Sequence, residues 1–187
     1  SSMKRVFESM VALVGLICAL PFFIVLIPLI RLTSSGKAIF AQERVGKGKE
    51  VFTCYKLRTM AKDTKQAGTH EVSSSSVTPV GSVLRKLKLD ELPQLWNVFV
   101  GDMSFVGPRP CLPVQTELIE EREKRGVYEI LPGITGLGQV RGIDMSDPVR
   151  LAEGDAEYVR SRSLVADLKL LWLTVWGAGR GDRVKVA

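Results

Sequence analysis

Two adjacent carboxylates, Asp90 and Glu91, stand in the stretch LKLDELPQLWNVFVGDMSFVGPRP (residues 87–110). They come just ahead of a proline-led apolar run, and the stretch closes on an arginine between two prolines, Pro108-Arg109-Pro110. The acids have a structural use. Pro93 suits the first turn of a helix, where its missing N–H costs nothing. That places Asp90 near the N-cap and Glu91 in the first turn, both facing the positive end of the helix dipole. They also have a chemical use. One or two protein carboxylates hold magnesium while substrate phosphates complete its shell, and a carboxylate can itself attack phosphorus and form a covalent intermediate. Cations in other blocks favour phosphate as the ligand: Lys56, Arg58 and Arg85, with Arg109 stiffened by its prolines. A guanidinium binds phosphate oxygens in a bidentate way, and a helix N-terminus offers N–H groups to the same anion. The glycine-rich segment Gly133–Gly138 lets a ligand come close to backbone.

These residues need elements to hold them. AIFAQERVGKGKEVFTCYKLRTM (38–60) reads as a β-hairpin turning at Gly46-Lys47-Gly48-Lys49, with Lys56, Arg58 and Thr59 at the end of its second strand. The polar, serine-rich residues 61–81 read as a surface loop. They contain His70, the chain's one histidine, which is read as solvated rather than as part of a catalytic triad. A short basic helix is expected over Val80–Leu89, carrying Arg85, Lys86 and Lys88, and a second over Gln94–Val100, stopped by Gly101. Residues 113–131 read as a charged amphipathic helix with Glu120, Glu121 and Glu123 on its wet face, and LPGITGLGQVRG (131–142) as a loop. Residues 152–179 read as helical. Leu164, Leu168, Leu171 and Val175 recur there at helical spacing, and Trp172 and Trp176 precede a basic tail (Arg180, Arg183, Lys185). Such a stripe serves core packing or rest in a membrane interface.

The chain has 187 residues and a net charge of +6, which fits one domain that meets anionic partners. Cys18, Cys54 and Cys111 lie far apart with no CxxC pair, so a zinc site and a disulfide framework are both disfavoured. Residues 10–30, MVALVGLICALPFFIVLIPLI, carry no charge and are long enough to cross a bilayer. Pro21 near the centre deletes a backbone hydrogen bond. Lys4 and Arg5 flank one end, and Arg31 and Lys37 the other; cations favour the cytoplasmic side, so both ends ask for the same face. A helix broken at Pro21 that enters and leaves by one face satisfies both. A straight signal-anchor helix that tolerates its proline is the alternative. A cleaved signal peptide is disfavoured by the length of the run.

Taken together, KLDELPQLWNVFVGDMSFVGPRP, IFAQERVG, YKLRTM, LPGITGLGQV and SLVADLKLL resemble, in order, the blocks of the bacterial sugar transferases, the small monotopic phosphoglycosyl transferases. The resemblance runs from Lys4 to about Leu171. It implies a mainly α fold with a small β-hairpin (α+β). A re-entrant, Pro21-broken membrane helix (3–32) and interfacial amphipathic helices would accompany a cytoplasmic catalytic domain (33–187) at the bacterial inner membrane. It implies transfer of a phospho-sugar from a UDP-sugar to a polyprenol phosphate such as undecaprenyl phosphate, with release of UMP, as the first membrane step of glycoconjugate or exopolysaccharide assembly. Asp90 would be the nucleophile, and Glu91 its partner as a Mg2+ ligand or proton acceptor. Asp90 and Glu91 would be the metal site, and Arg109 would hold phosphate. Lys56, Arg58, Arg85 and Gln139 would contact substrate or intermediate.

The chain departs from the family pattern at three places. Leu20-Pro21 replaces the frequent Ser-Pro, Glu8 stands where an Asp is usual, and Arg141-Gly142-Ile143 replaces Asn-Gly-Arg. Two other readings remain. A membrane-anchored binding module for anionic lipid or nucleic acid would not need the carboxylates; few aromatics interleave with its cations, which argues against nucleic acid. An enzyme that transfers directly would form a ternary complex without a covalent intermediate.

Overall fold

A computed structural model describes residues 2–34, 36–60 and 77–177. His70 and the basic tail lie outside these residues, as does most of the serine-rich loop, whose ends meet in an antiparallel bridge, Met60 to Val77. The fold is α+β: helices with two two-stranded sheets. Packing divides the chain into two compact units. One takes the residues up to Gln42 and Thr53–Gly101; the other takes Glu43–Phe52 and continues from Asp102. Packing thus groups the N-terminal helix with the segments that follow it, whereas a division at 3–32 and 33–187 follows the apolar run.

In the first unit, helix α1 (Ser2–Thr33) runs as one element through Pro21 and Pro28. The expected break at Pro21 is therefore not an end of the helix. A proline bends a helix that its flanks hold in place, and here both flanks are held: Ala19 is buried, and Phe23, Leu26 and Ile27 pack against Ile30, Ala38, Leu57 and Leu84. The docked residues of α1 lie on one stripe, Glu8, Ala12, Ala19 and Ile30, at helical spacing. Small residues bring α1 close to a later helix, α3 (Gln94–Val100); a Cβ on Gly15 would sit 3.1 Å from Leu95 Cδ1. Near the start of α1, Arg5 Nη2 and Ser9 Oγ both donate to the carbonyl of Phe99, at 3.1 and 3.0 Å. The opposite face exposes Met10, Ile17, Phe22, Ile24, Val25 and Leu29.

Strands β1 (Ile39–Val45) and β2 (Val51–Leu57) form the expected hairpin, turning through Lys47–Lys49. Helix α2 (Pro79–Lys86) starts at Thr78, whose Oγ1 accepts from Gly81 N at 2.9 Å. Helix α3 has the expected bounds and ends on Gly101, in the left-handed region at φ 101°.

In the second unit, β3 (Ser104–Val106) pairs in parallel with β4 (Gly133–Thr135), Ser104 opposite Gly133 and Val106 opposite Thr135. The expected loop 131–142 is corrected here: it holds β4 and helix α5 (Leu137–Val140). Close backbone approach explains its glycines, since a Cβ on Gly133 would fall 2.0 Å from Gly107 N. The helix expected over 113–131 is shorter, α4 (Thr116–Lys124). The C-terminal helical stretch is two helices, α6 (Pro148–Ser161) and α7 (Leu164–Val175), separated where Ser163 Oγ caps α7 by accepting from Ala166 N. The core joins Val45, Cys111, Leu118, Ile143, Met145 and Leu151, with a second cluster of Val106, Ile130, Tyr158 and Leu170. Tyr158 Oη donates to Asp167 Oδ1 at 2.6 Å and ties α7 to α6, while Leu168, Trp172, Val175 and Trp176 face outward.

Candidate active site

Asp90 lies three residues ahead of the N-cap position of α3. Lys88 takes a left-handed conformation after α2, and Leu89–Glu91 form one tight 3-10 turn. Pro93 occupies the N-cap position of α3 and, as a proline, offers it no side-chain cap. The placement expected for the two acids is corrected: Pro93 is the N-cap rather than a residue of the first turn, so Asp90 and Glu91 both precede the helix. Asp90 is nonetheless buried, with 7% of its surface exposed, and Glu91 is half-buried.

The same unit carries the cations of the hairpin's end. Arg85 on α2 donates from Nε to Thr59 Oγ1 at 2.9 Å, and Thr59 accepts from Thr78 N at 2.9 Å through its carbonyl. Arg58 donates from Nε to Lys37 O at 2.7 Å and lies over the Phe40 ring at 5.4 Å. Lys56 is half-buried on β2. Asn97 locks α3 to β2: its Oδ1 accepts from Tyr55 N at 3.2 Å and its Nδ2 donates to Thr53 O at 2.7 Å. Helix α3, which follows the turn bearing Asp90 and Glu91, is thereby pinned to the strand that bears Lys56 and leads into Arg58.

In the second unit, Arg109 is half-buried and its carbonyl accepts from Arg122 Nη1 at 2.7 Å. Arg122 is 1% exposed and donates from Nε to Asp155 Oδ2 at 2.8 Å. Burial pushes the Asp155 carboxyl up while Arg122 pulls it down; burial also works against the charge on Arg122, but Asp155 holds that guanidinium charged. Gln139 on α5 is half-buried, and its buried Oε1 has no hydrogen-bond partner among the described residues.

A sequence model of the bacterial sugar transferases matches residues 1–181. The chain belongs to this family. Among its relatives, the protein named uncharacterized sugar transferase EpsL of Bacillus subtilis (strain 168) is 38% identical over 173 residues, covering 92% of this chain and 85% of that one. The exopolysaccharide production protein ExoY of Sinorhizobium fredii (strain NBRC 101917 / NGR234) is 36% identical over 190 residues, covering 92% and 83%. The UDP-glucose:undecaprenyl-phosphate glucose-1-phosphate transferase of Caulobacter vibrioides (strain ATCC 19089 / CIP 103742 / CB 15) is 38% identical over 181 residues, covering 92% and 68%.

This sugar transferase is an enzyme, and its described residues contain no group of three or more metal-binding side chains. A protein-only metal cage is thus not offered there. Two neighbouring carboxylates suit magnesium, which takes its other ligands from water and phosphate. The transferase also has functional candidates that its sequence concealed. Arg122 sits in a run of charges, yet it lies four residues after buried Leu118, on the same helix face. Asn97 is the single polar side chain in LWNVFV, and it is fully buried.

Proposed function

We propose that this transferase moves a phospho-sugar from a UDP-sugar to a polyprenol phosphate such as undecaprenyl phosphate, through a covalent intermediate on Asp90. The observation that carries the reading is a buried carboxylate, Asp90, held in a tight turn just ahead of α3 and set in the Asp-Glu block of a chain matched along nearly its whole length by the family. An Asp90 oxygen attacks the β-phosphorus, and the bond to the bridging oxygen breaks, releasing UMP. The acceptor's phosphate oxygen then attacks the same phosphorus, and Asp90 leaves as carboxylate. Two displacements on one phosphorus make the kinetics ping-pong. Arg109 holds the phosphate, Glu91 takes part as metal ligand or proton acceptor, and Lys56, Arg58, Arg85 and Gln139 contact substrate. Magnesium, when bound by Asp90 and Glu91, neutralises charge on the diphosphate.

The place of action in this reading is the cytoplasmic face of the inner membrane. Support comes from α1, which is long and apolar enough to cross a bilayer. Both its ends dock on one unit, Arg5 and Ser9 on Phe99 and Ile30 against Leu57 and Leu84, which favours entry and exit by a single face.

The test is incubation with UDP-glucose, UDP-galactose and their two N-acetylamino counterparts without acceptor. One of them is expected to add a phospho-sugar mass at Asp90 and release UMP. Asp90→Asn is expected to abolish the adduct and lower turnover by about 1000-fold or more. Turnover without an adduct under rapid quench would favour direct transfer, and near wild-type activity in Asp90→Asn would sink the assignment.

A further inference from the structure

The two prolines around Arg109 stiffen it but remove two of the N–H groups by which a loop is normally tied down. A segment Pro-Arg-Pro is therefore fixed chiefly through its carbonyls. Here four consecutive carbonyls are tied. Pro108 O accepts from Gly133 N at 3.0 Å and Cys111 O from Val45 N at 2.8 Å. Between them, Arg109 O accepts from Arg122 Nη1 at 2.7 Å and Pro110 O from Arg44 Nη1 at 3.0 Å. The outer two donors are backbone groups; the inner two are guanidiniums from β1 and α4. Both are buried, Arg44 at 6% and Arg122 at 1% of residue surface.

Burying two guanidiniums is costly, and a fold meant only for stability does as well or better with apolar side chains there. What a guanidinium offers is reach and a rigid set of donors. Asp155, at 2.8 Å from Arg122 Nε, uses one edge of that fork and so fixes the direction of the Nη1–H that meets Arg109 O. Charge-assisted bonds of this kind are short and directional.

We propose that Arg122 and Arg44 are positioning residues that act through the backbone of Arg109, with Asp155 as the counter-charge that aims Arg122. This rests on the reading in which Arg109 holds the transferred phosphate. The guanidinium of Arg109 is the part that meets substrate; its aim depends on two successive peptide planes, Arg109–Pro110 and Pro110–Cys111, that Arg122 and Arg44 hold still. A displacement of about 1 Å in a substrate-holding group costs on the order of 100-fold in rate.

The test is a cycle on kcat/KM, with the fastest of the four UDP-sugars above and undecaprenyl phosphate, following UMP release. Arg122→Met with Asp155→Leu removes both buried charges together, which spares the fold an unpaired one. In the otherwise wild-type chain this pair is expected to lower kcat/KM about 100-fold. In an Arg109→Ala chain, already impaired, the same pair is expected to add less than about threefold, because the group it aims is gone. Arg122→Lys restores a donor but not the fork, and is expected to recover only part of the loss. Equal losses in both backgrounds would overturn the proposal while leaving Arg109's own role intact. Undiminished activity in Arg109→Ala, or no turnover of any donor by wild type, would overturn the reading beneath it and the proposal with it. Should the double substitution fail to fold, Arg44→Gln in the same two backgrounds applies the same criterion through Pro110 O.

Discussion

At the scale of single residues, chemistry and structure fall on neighbouring positions. Asp90 is buried in a tight turn, and seven residues on, Asn97 spends its amide on β2, accepting from Tyr55 N and donating to Thr53 O. Asn97→Ala leaves two backbone groups without those partners and is expected to destabilise the chain by about 1–3 kcal/mol, read as a lower urea midpoint at unchanged slope. The sequence made Asp90 and Glu91 legible as a pair because their types and the following proline are local facts. It took Pro93 for a residue of the first turn, and so set Asp90 near the N-cap, because a proline suits both positions and its type does not say which one it fills. Arg122 escaped notice for another reason: a buried charge is recognisable only by its partner, and Asp155 lies 33 residues away. Without that partner in view, an arginine amid glutamates reads as solvated.

At the scale of elements, helices and a hairpin bounded by local signals were legible and the distant parallel pair β3–β4 was not. Gly101 ended α3 at the expected place, and a hairpin carries its own turn. β3 and β4 are three residues each, parallel, and 27 residues or more apart, so neither alternation nor a turn announces them. Their glycines are the clue that was present. Gly133→Ala would set a methyl on Gly107's backbone and is expected to destabilise by about 1–3 kcal/mol or more, seen as a lower melting temperature with transferase activity falling in step. Between α5 and α6, Arg141 donates to both carboxylate oxygens of Glu157 at 2.6 and 2.8 Å, at the position where the chain departs from its family's pattern. Hydrogen bonds from Arg141 hold Glu157 below the usual carboxylate value of 4.5, and those from Arg125 and then Lys124 do the same to Glu121. A lowered folded value means that the stabilisation is full above pH 4.5 and lost as pH falls through that lower value. Glu157→Gln should accordingly lower the urea midpoint slightly at neutral pH, leave it nearly unchanged at the acid end, and so flatten the fall between them.

At the scale of the whole molecule, α1 is half docked and half bare. One stripe packs on its own unit, while Phe22, Ile24 and Val25 remain exposed. Hydropathy made the apolar run legible, but it could not distinguish a crossing helix from one held along a protein surface, because that depends on α2, α3 and the hairpin. Phe22→Glu with Val25→Glu is expected to lower co-sedimentation with phosphatidylglycerol–phosphatidylethanolamine vesicles at least about tenfold while leaving the melting temperature nearly unchanged, since both side chains face away from the unit. Cysteines placed at Ser2 and Thr33 in a Cys18→Ser chain are expected to react with an impermeant thiol reagent from the same side of the membrane; labelling from opposite sides would restore the straight-span reading. The docking also has a consequence in time. Phe99, which receives Arg5 and Ser9, is translated 94 residues after Arg5. At roughly 5–20 residues per second, the start of α1 is made about 5–20 s before the α3 residue that it docks on. During that interval the uncharged run that begins at Met10 lacks its α3 partners, so apolar surface that α3 later covers is open to lipid, and α3 must fold against a helix that is already made.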